Sequence, residues 1–199
     1  MKERALLTIF IFLFVVSSMM IIVENTLTNR QMTGFAVEGY ATSNVTISKY
    51  LSISMSPNLT TGILFGTIDV LPAVDINASG NNNSDGGLST FYINVSSDSN
   101  TPVDFCIKAN TNFYDGGGAN TLGAGNESFS NATSTTATSP TLVDQLPLTT
   151  GYVKAGFNST RGQSVFYRFW LDVPSGTPSG SYNNTVNFKG VEVAAVCGS

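Results

Sequence analysis

The chain has 199 residues, 9 Lys and Arg against 13 Asp and Glu, no histidine, and a formal net charge of -4. Charged residues make up 11% of it, against about 25% in an ordinary soluble domain, so Asn, Ser, Thr and Gly must keep the surface wet. The length suits one domain with a real core plus an N-terminal appendage; the isolated cations Arg30, Lys49, Lys108, Lys154, Arg161, Arg168 and Lys189 form no patch that could release counterions from nucleic acid, and that partner class is set aside.

Ala5 to Val23 reads ALLTIFIFLFVVSSMMIIV, with no charge and only Thr8, Ser17 and Ser18 polar. As a helix it spans roughly 28 Å, close to the hydrocarbon thickness of a bilayer. Lys2 and Arg4 precede the run and Glu24 follows it, so the positive-inside bias puts Met1 in the cytoplasm and the remainder outside. Residues 1–23 are therefore expected to be a signal-anchor or transmembrane helix. The run exceeds the usual signal-peptide core of about 7–15 residues and no small-x-small site follows closely. An uncleaved anchor thus ranks ahead of cleavage near Ser18. A third outcome comes from Arg4-Ala5-Leu6-Leu7, which resembles the processing site of archaeal type IV prepilins. That resemblance implies a cut before Leu6, with the apolar helix as a filament core.

Residues 24–43 read as a polar stalk or donor-strand segment with one apolar knot, Gly34-Phe35-Ala36-Val37. Strand signals then persist. Tyr50 to Met55 alternates, with Leu51, Ile53 and Met55 on one face. Gly62 to Val70 is expected as a strand bulged at Gly66. Ser89 to Val95 alternates through Phe91, Ile93 and Val95, and Thr101 to Ala109 through Val103, Phe105 and Ile107 with Asp104 and Lys108 facing away. Tyr152 to Phe157 continues the pattern. In Ser164 to Val173, Val165, Tyr167, Phe169, Leu171 and Val173 share a face opposite Phe166, Arg168, Trp170 and Asp172. Tyr182, Asn184, Val186 and Phe188 share another, before an apolar end at Val191 to Val196. Ser79 to Gly87 reads as a polar turn cluster, and Asn110 to Gln145 as a long loop, decorated or mobile. No window after Val23 has a helical period. About eight short strands between Gly, Pro, Asn and Ser clusters predict an all-β fold, a single antiparallel β-sandwich of Ig-like or jelly-roll-like build over 44–199.

Asn-x-Ser/Thr occurs at Asn44, Asn58, Asn77, Asn82, Asn94, Asn126, Asn131, Asn158 and Asn183. In a chain so rich in Asn, Ser and Thr, composition alone produces such motifs. Export would make them candidate N-glycosylation sites, and glycans would supply hydration that charges do not. Cys106 and Cys197 are the only thiols. In an oxidising compartment they are most simply one disulfide, the alternative being two buried thiols.

Chemistry finds little to work with. Without histidine there is no His-based triad, and with two Cys there is no zinc set. No spacing selects two among Asp69, Asp75, Asp98, Asp104, Asp115 and Asp172 as a catalytic pair, and Gly116-Gly117-Gly118 lacks the Lys of a phosphate loop. Asp75 to Asn77 and Asn81 to Asp85 offer hard oxygen ligands for calcium but match no EF-hand. The expectation is a non-enzyme with no catalytic, cofactor-binding or metal-binding residue and no cofactor.

Val173-Pro-Ser-Gly-Thr-Pro-Ser-Gly-Ser-Tyr-Asn-Asn-Thr-Val-Asn-Phe188 resembles the closing hairpin of secreted β-sandwich modules. Leu51 to Val70, with Phe65-Gly66-Thr67-Ile68, is similar to the opening strands of archaeal envelope proteins of that build. Hydrophobic segment, stalk and sandwich together resemble TasA/camelysin-like proteins and archaeal pilus subunits. The resemblance implies self-association, one subunit's N-terminal strand completing the next subunit's sheet; Phe35 to Ile47 has strand-forming pieces on a tether that could do so. The reading is thus an exported cell-surface structural glycoprotein, an envelope or filament subunit, membrane-anchored or secreted. Its alternatives are an adhesin or glycan-binding module using aromatics near Trp170, and a pilin-like subunit cleaved before Leu6.

Overall fold

The structure is a computed structural model that describes residues 9–20, 42–81, 89–133 and 140–198. The chain divides into two compact units, Met1–Thr46 and Ile47–Ser199.

In the first unit residues 9–20 form helix α1, about 18 Å long at 1.5 Å per residue. Ser18 Oγ donates to the Phe14 carbonyl at 2.8 Å, the back-bond that satisfies a hydroxyl inside an apolar helix. Among the described residues no helix is long and apolar enough to cross a membrane. The run expected to cross, Ala5 to Val23, extends past the described helix at both ends, and the stalk lies outside the described residues apart from 42 and 43.

The second unit is built from strands. The largest sheet has the order β1 (Ile53–Met55), β3 (Phe91–Val95), β10 (Ser164–Val173), β7 (Glu127–Thr133) and β8 (Leu146–Pro147), with β2 (Ala73–Asn77) also on β10. A second sheet runs β12 (Val186–Glu192), β4 (Val103–Ala109), β9 (Val153–Ser159), and a third β11 (Tyr182–Asn183), β5 (Phe113–Asp115), β6 (Thr121–Leu122). Every pairing is antiparallel.

Strand β10 is the spine. On one side β3 takes its first half, from Ser164 opposite Asn94 to Tyr167 opposite Phe91, and β2 its second, from Trp170 opposite Asn77. On the other side β7 runs from Val165 opposite Thr133 to Leu171 opposite Glu127. Period-two alternation sends Val165, Tyr167 and Phe169 inward, where each is fully buried. They share one core with Phe91, Ile93, Val95 and Phe129 of the same sheet and with Phe105, Ile107 and Ala155 of the second sheet. The Tyr167 hydroxyl donates to the Ala155 carbonyl at 2.8 Å, and its ring sits 5.5 Å from that of Phe188 on β12. Leu171 and Val173 instead join Phe113 and Leu122 in a smaller cluster beside the third sheet. The fold is thus all-β, three antiparallel sheets preceded by one N-terminal helix.

Four expectations change. Gly62 to Val70 forms no strand: Leu64 O accepts from Ser79 N at 2.8 Å, but positive φ at Gly62 and Gly66 (127° and 74°) breaks the extended run, while Ile63, Phe65 and Ile68 still pack on the cores. Only the last three residues of Tyr50 to Met55 enter a ladder, because side chains replace carbonyls upstream; Tyr50 N donates to Asn100 Oδ1 at 2.7 Å and Ser52 N to Ser99 Oγ at 2.9 Å. A short helix, α2 (Pro57–Thr61), appears where none was expected, with Ser56 Oγ accepting from Leu59 N at 3.2 Å and Pro57 at its first position. Finally, the stretch Asn110 to Gln145 is no single loop, since it holds β5, β6 and β7.

Candidate functional site: a cavity around Glu127

The third sheet, α2 and the start of β12 frame a cavity of about 310 Å³. Met55 at the end of β1 and Leu59 of α2 line it, as do Ile63 and Phe65 from the irregular segment that follows. Phe113 of β5 and Val186 and Phe188 of β12 complete an apolar wall. Into this lining β7 brings Glu127, and the link between β11 and β12 brings Asn184. The placement of Glu127 follows from strand parity. Glu127 lies two residues before the inward Phe129.

Glu127 is 1% exposed. Its Oε2 accepts from Asn184 Nδ2 at 3.3 Å, and among the described residues its carboxylate has no other partner. Burial pushes its pKa up to about 7, and the Asn184 bond offsets only part of that. Thr60 and Thr185 add polar atoms to the lining, and among the described residues Glu127 is the only titratable group there. The arrangement can hold a hydrogen-bond donor or a cation at the carboxyl with an apolar body beside it. A smaller cavity of about 160 Å³ beside Asn58, Leu64, Gly80 and Phe91 is lined by no charged group among the described residues.

A second polar centre sits on the outer side of the second sheet. Asp104, 3% exposed, accepts from the Lys154 ammonium, from Asn158 N at 2.8 Å and from Ala194 N at 3.0 Å. Burial pushes its carboxyl up, but these three donors more than offset that and hold it below the usual carboxylate range. Both backbone donors have positive φ, 47° at Asn158 and 66° at Ala194. Asp104 therefore holds the bulged strand β9 and the C-terminal turn together, and its role is structural.

Cys106, on β4, pairs with Cys197 near the chain end, with sulfurs 2.04 Å apart and Cα atoms 5.8 Å apart. Of the sequon asparagines, Asn44, Asn58, Asn77, Asn158 and Asn183 are exposed and Asn94, Asn126 and Asn131 half-buried; Asn82 lies outside the described residues. Three of these motifs border the cavity: Leu59 and Thr60 follow Asn58, Glu127 follows Asn126, and Asn184 and Thr185 follow Asn183.

Of the candidate calcium ligands among the described residues, the side-chain oxygens of Asp75, Asn77 and Asn81 bond to other protein groups, Asn77 Oδ1 accepting from Asn81 Nδ2 at 3.2 Å. Asn81, fully buried, spends its amide on the β10 backbone, donating to Phe169 O at 2.6 Å and accepting from Phe169 N at 2.8 Å. Asp75 Oδ1 accepts from Gln145 Nε2 at 3.2 Å, and residues 82–85 lie outside the described residues. Among the described residues no group of three or more Cys, Asp or Glu side chains is placed to hold a metal. Trp170, the centre of the aromatics expected to serve a glycan-binding module, is 4% exposed and offers no open face for a sugar. Sequence reasoning passed over Glu127. Its signal was the parity with Phe129, legible only once Glu127 to Thr133 is taken as a strand.

No protein-family model, no curated protein and no solved structure matches this chain.

Proposed function

We propose that this chain is a non-enzymatic, exported structural protein of the cell surface, an envelope or filament subunit. In this reading the hydrophobic N-terminus carries the rest across a membrane and anchors it there, and residues 44–199 form a single antiparallel β-sandwich. What supports the sandwich is the shared core of the first two sheets, crossed by the Tyr167–Ala155 hydrogen bond. The observation that carries the exported reading is the pairing of Cys106 with Cys197, a bond that persists in oxidising compartments and is rare in the cytosol. The exposed sequon asparagines are consistent with glycosylation in the same place.

Fractionating the native cells and mapping the protein's N-terminus, thiols and glycans tests this directly. The expected result is an envelope or extracellular protein with a closed disulfide and sugar on exposed sequons, forming filaments or SDS-resistant ladders. A soluble cytosolic protein with two free thiols overturns the reading.

A further inference from the structure

We propose that the cavity around Glu127 is a binding site for a small organic ammonium compound, with its apolar body among Phe65, Phe113 and Phe188 and its charged head on the Glu127 carboxylate.

Three observations converge on that chemistry. The first is volume: about 310 Å³, where an engineered apolar cavity of about 150 Å³ already takes up benzene. One ring or short aliphatic body with a head group fits within it. The second is the lining, apolar and partly aromatic on several sides, which rewards burial of hydrocarbon at about 25 cal/mol per Å². The third is the carboxyl itself, 1% exposed, with a single amide bond at 3.3 Å and nothing on Oε1 among the described residues. An ionised carboxylate in an apolar setting without a cation is costly, and among the described residues none in the lining is Lys or Arg. A ligand that brings a cation removes that cost and is drawn in by it. An anionic ligand meets repulsion, and a neutral hydrocarbon leaves the carboxylate as poorly partnered as before. Asn184 adds direction: its carbonyl oxygen can accept from the same ammonium while its amide stays on Glu127. The site is the same wherever the protein is located and whether or not it assembles.

The test is a titration of the full-length chain at pH 8 with benzylamine, benzyl alcohol and toluene, followed by backbone amide NMR shifts. Benzylamine is expected to bind at least ten-fold more tightly than benzyl alcohol, with shifts at Phe113, Glu127, Asn184 and Val186. Glu127→Gln, which keeps the side-chain shape and removes the charge, is expected to abolish that preference while leaving toluene binding unchanged. Equal affinity for the amine and the alcohol in the wild-type chain overturns the proposal, and needs no variant to be read. So does saturable amine binding whose shifts map away from the cavity, or a folded Glu127→Gln chain that keeps the preference.

Discussion

Glu127 and Asp104 are two buried carboxylates driven in opposite directions, because one has a single amide donor and the other has three. For Glu127 the ordinary value of 4.5 rises to about 7 on folding. Between those pH values the folded protein keeps a proton that the unfolded chain has released, so stability falls as pH rises through this window and stays low above it. The full effect is roughly 3 kcal/mol at 1.36 kcal/mol per unit. Urea midpoints are therefore expected to be higher at pH 5 than at pH 8, with Glu127→Gln levelling the two. A midpoint that rises between pH 5 and pH 8 in the wild-type chain and is unmoved by the substitution would show that Glu127 is not ionising in a dry site. Asp104 works the other way. Its folded value lies below 3.8, so its contribution is fully present above that pH and lost as acid protonates it in place. Asp104→Ala strands the Lys154 ammonium and two backbone N–H groups and is expected to cost roughly 3 kcal/mol or more. Chemical denaturation at pH 7 measures that loss.

At the scale of the element, Gly80 shows how closely the turn after β2 packs. A Cβ there would lie 2.3 Å from the Phe91 ring, while the Gly80 carbonyl accepts from Thr90 N at 3.0 Å and from Thr90 Oγ1 at 2.8 Å, so neither partner can retreat. Gly80→Ala is expected to destabilise by about 1–3 kcal/mol, the usual range for overpacking, and a thermal melt within a degree of wild type would contradict that packing. Strand β10 was legible in the sequence because each inward position from Val165 to Val173 is large and apolar. Strand β7 was not, since Phe129 is its one large apolar residue and Glu, Ser, Asn, Ala and Thr fill the rest; its ladder with β10 makes it a strand, not its composition. Glu127 went unseen for that reason, since the face of a residue is undefined until its strand is. Gly62 to Val70 failed the other way, with enough apolar residues but glycines at positive φ that break the extended run. Helix α2 carried its Ser-Pro start signal, but at five residues it is too short to show a period. Deep burial of Asn81 is a tertiary outcome, set by the Phe169 backbone it caps from far along the chain.

Across the whole molecule the chain is closed at its far end and open at its near one. The Cys106–Cys197 bond closes a loop of 91 residues, for which chain entropy predicts about 4–5 kcal/mol. Cys197→Ser is expected to lower stability by up to that amount without altering the sheets, as denaturant midpoints under non-reducing conditions would record. At the other end, residues 42–50 run without regular structure, and Val45 and Ile47 are 84% and 79% exposed. They alternate with Asn44, Thr46 and Ser48, the pattern of a strand with one apolar face. Strands β9 and β12 terminate their sheet, each presenting an outer edge without a paired strand among the described residues. An apolar strand on one copy and an unpaired edge on another can satisfy each other through main-chain hydrogen bonds, which is how strand addition joins subunits. Val45→Asp combined with Ile47→Asp removes the apolar face while leaving every buried residue in place. The variant is expected to keep the wild-type unfolding midpoint and to lose the filament assembly that the proposed function requires of the wild-type chain. Filaments that persist with both aspartates present would place the assembling surface elsewhere, and a lowered midpoint would mean that these two side chains belong to the subunit's own core.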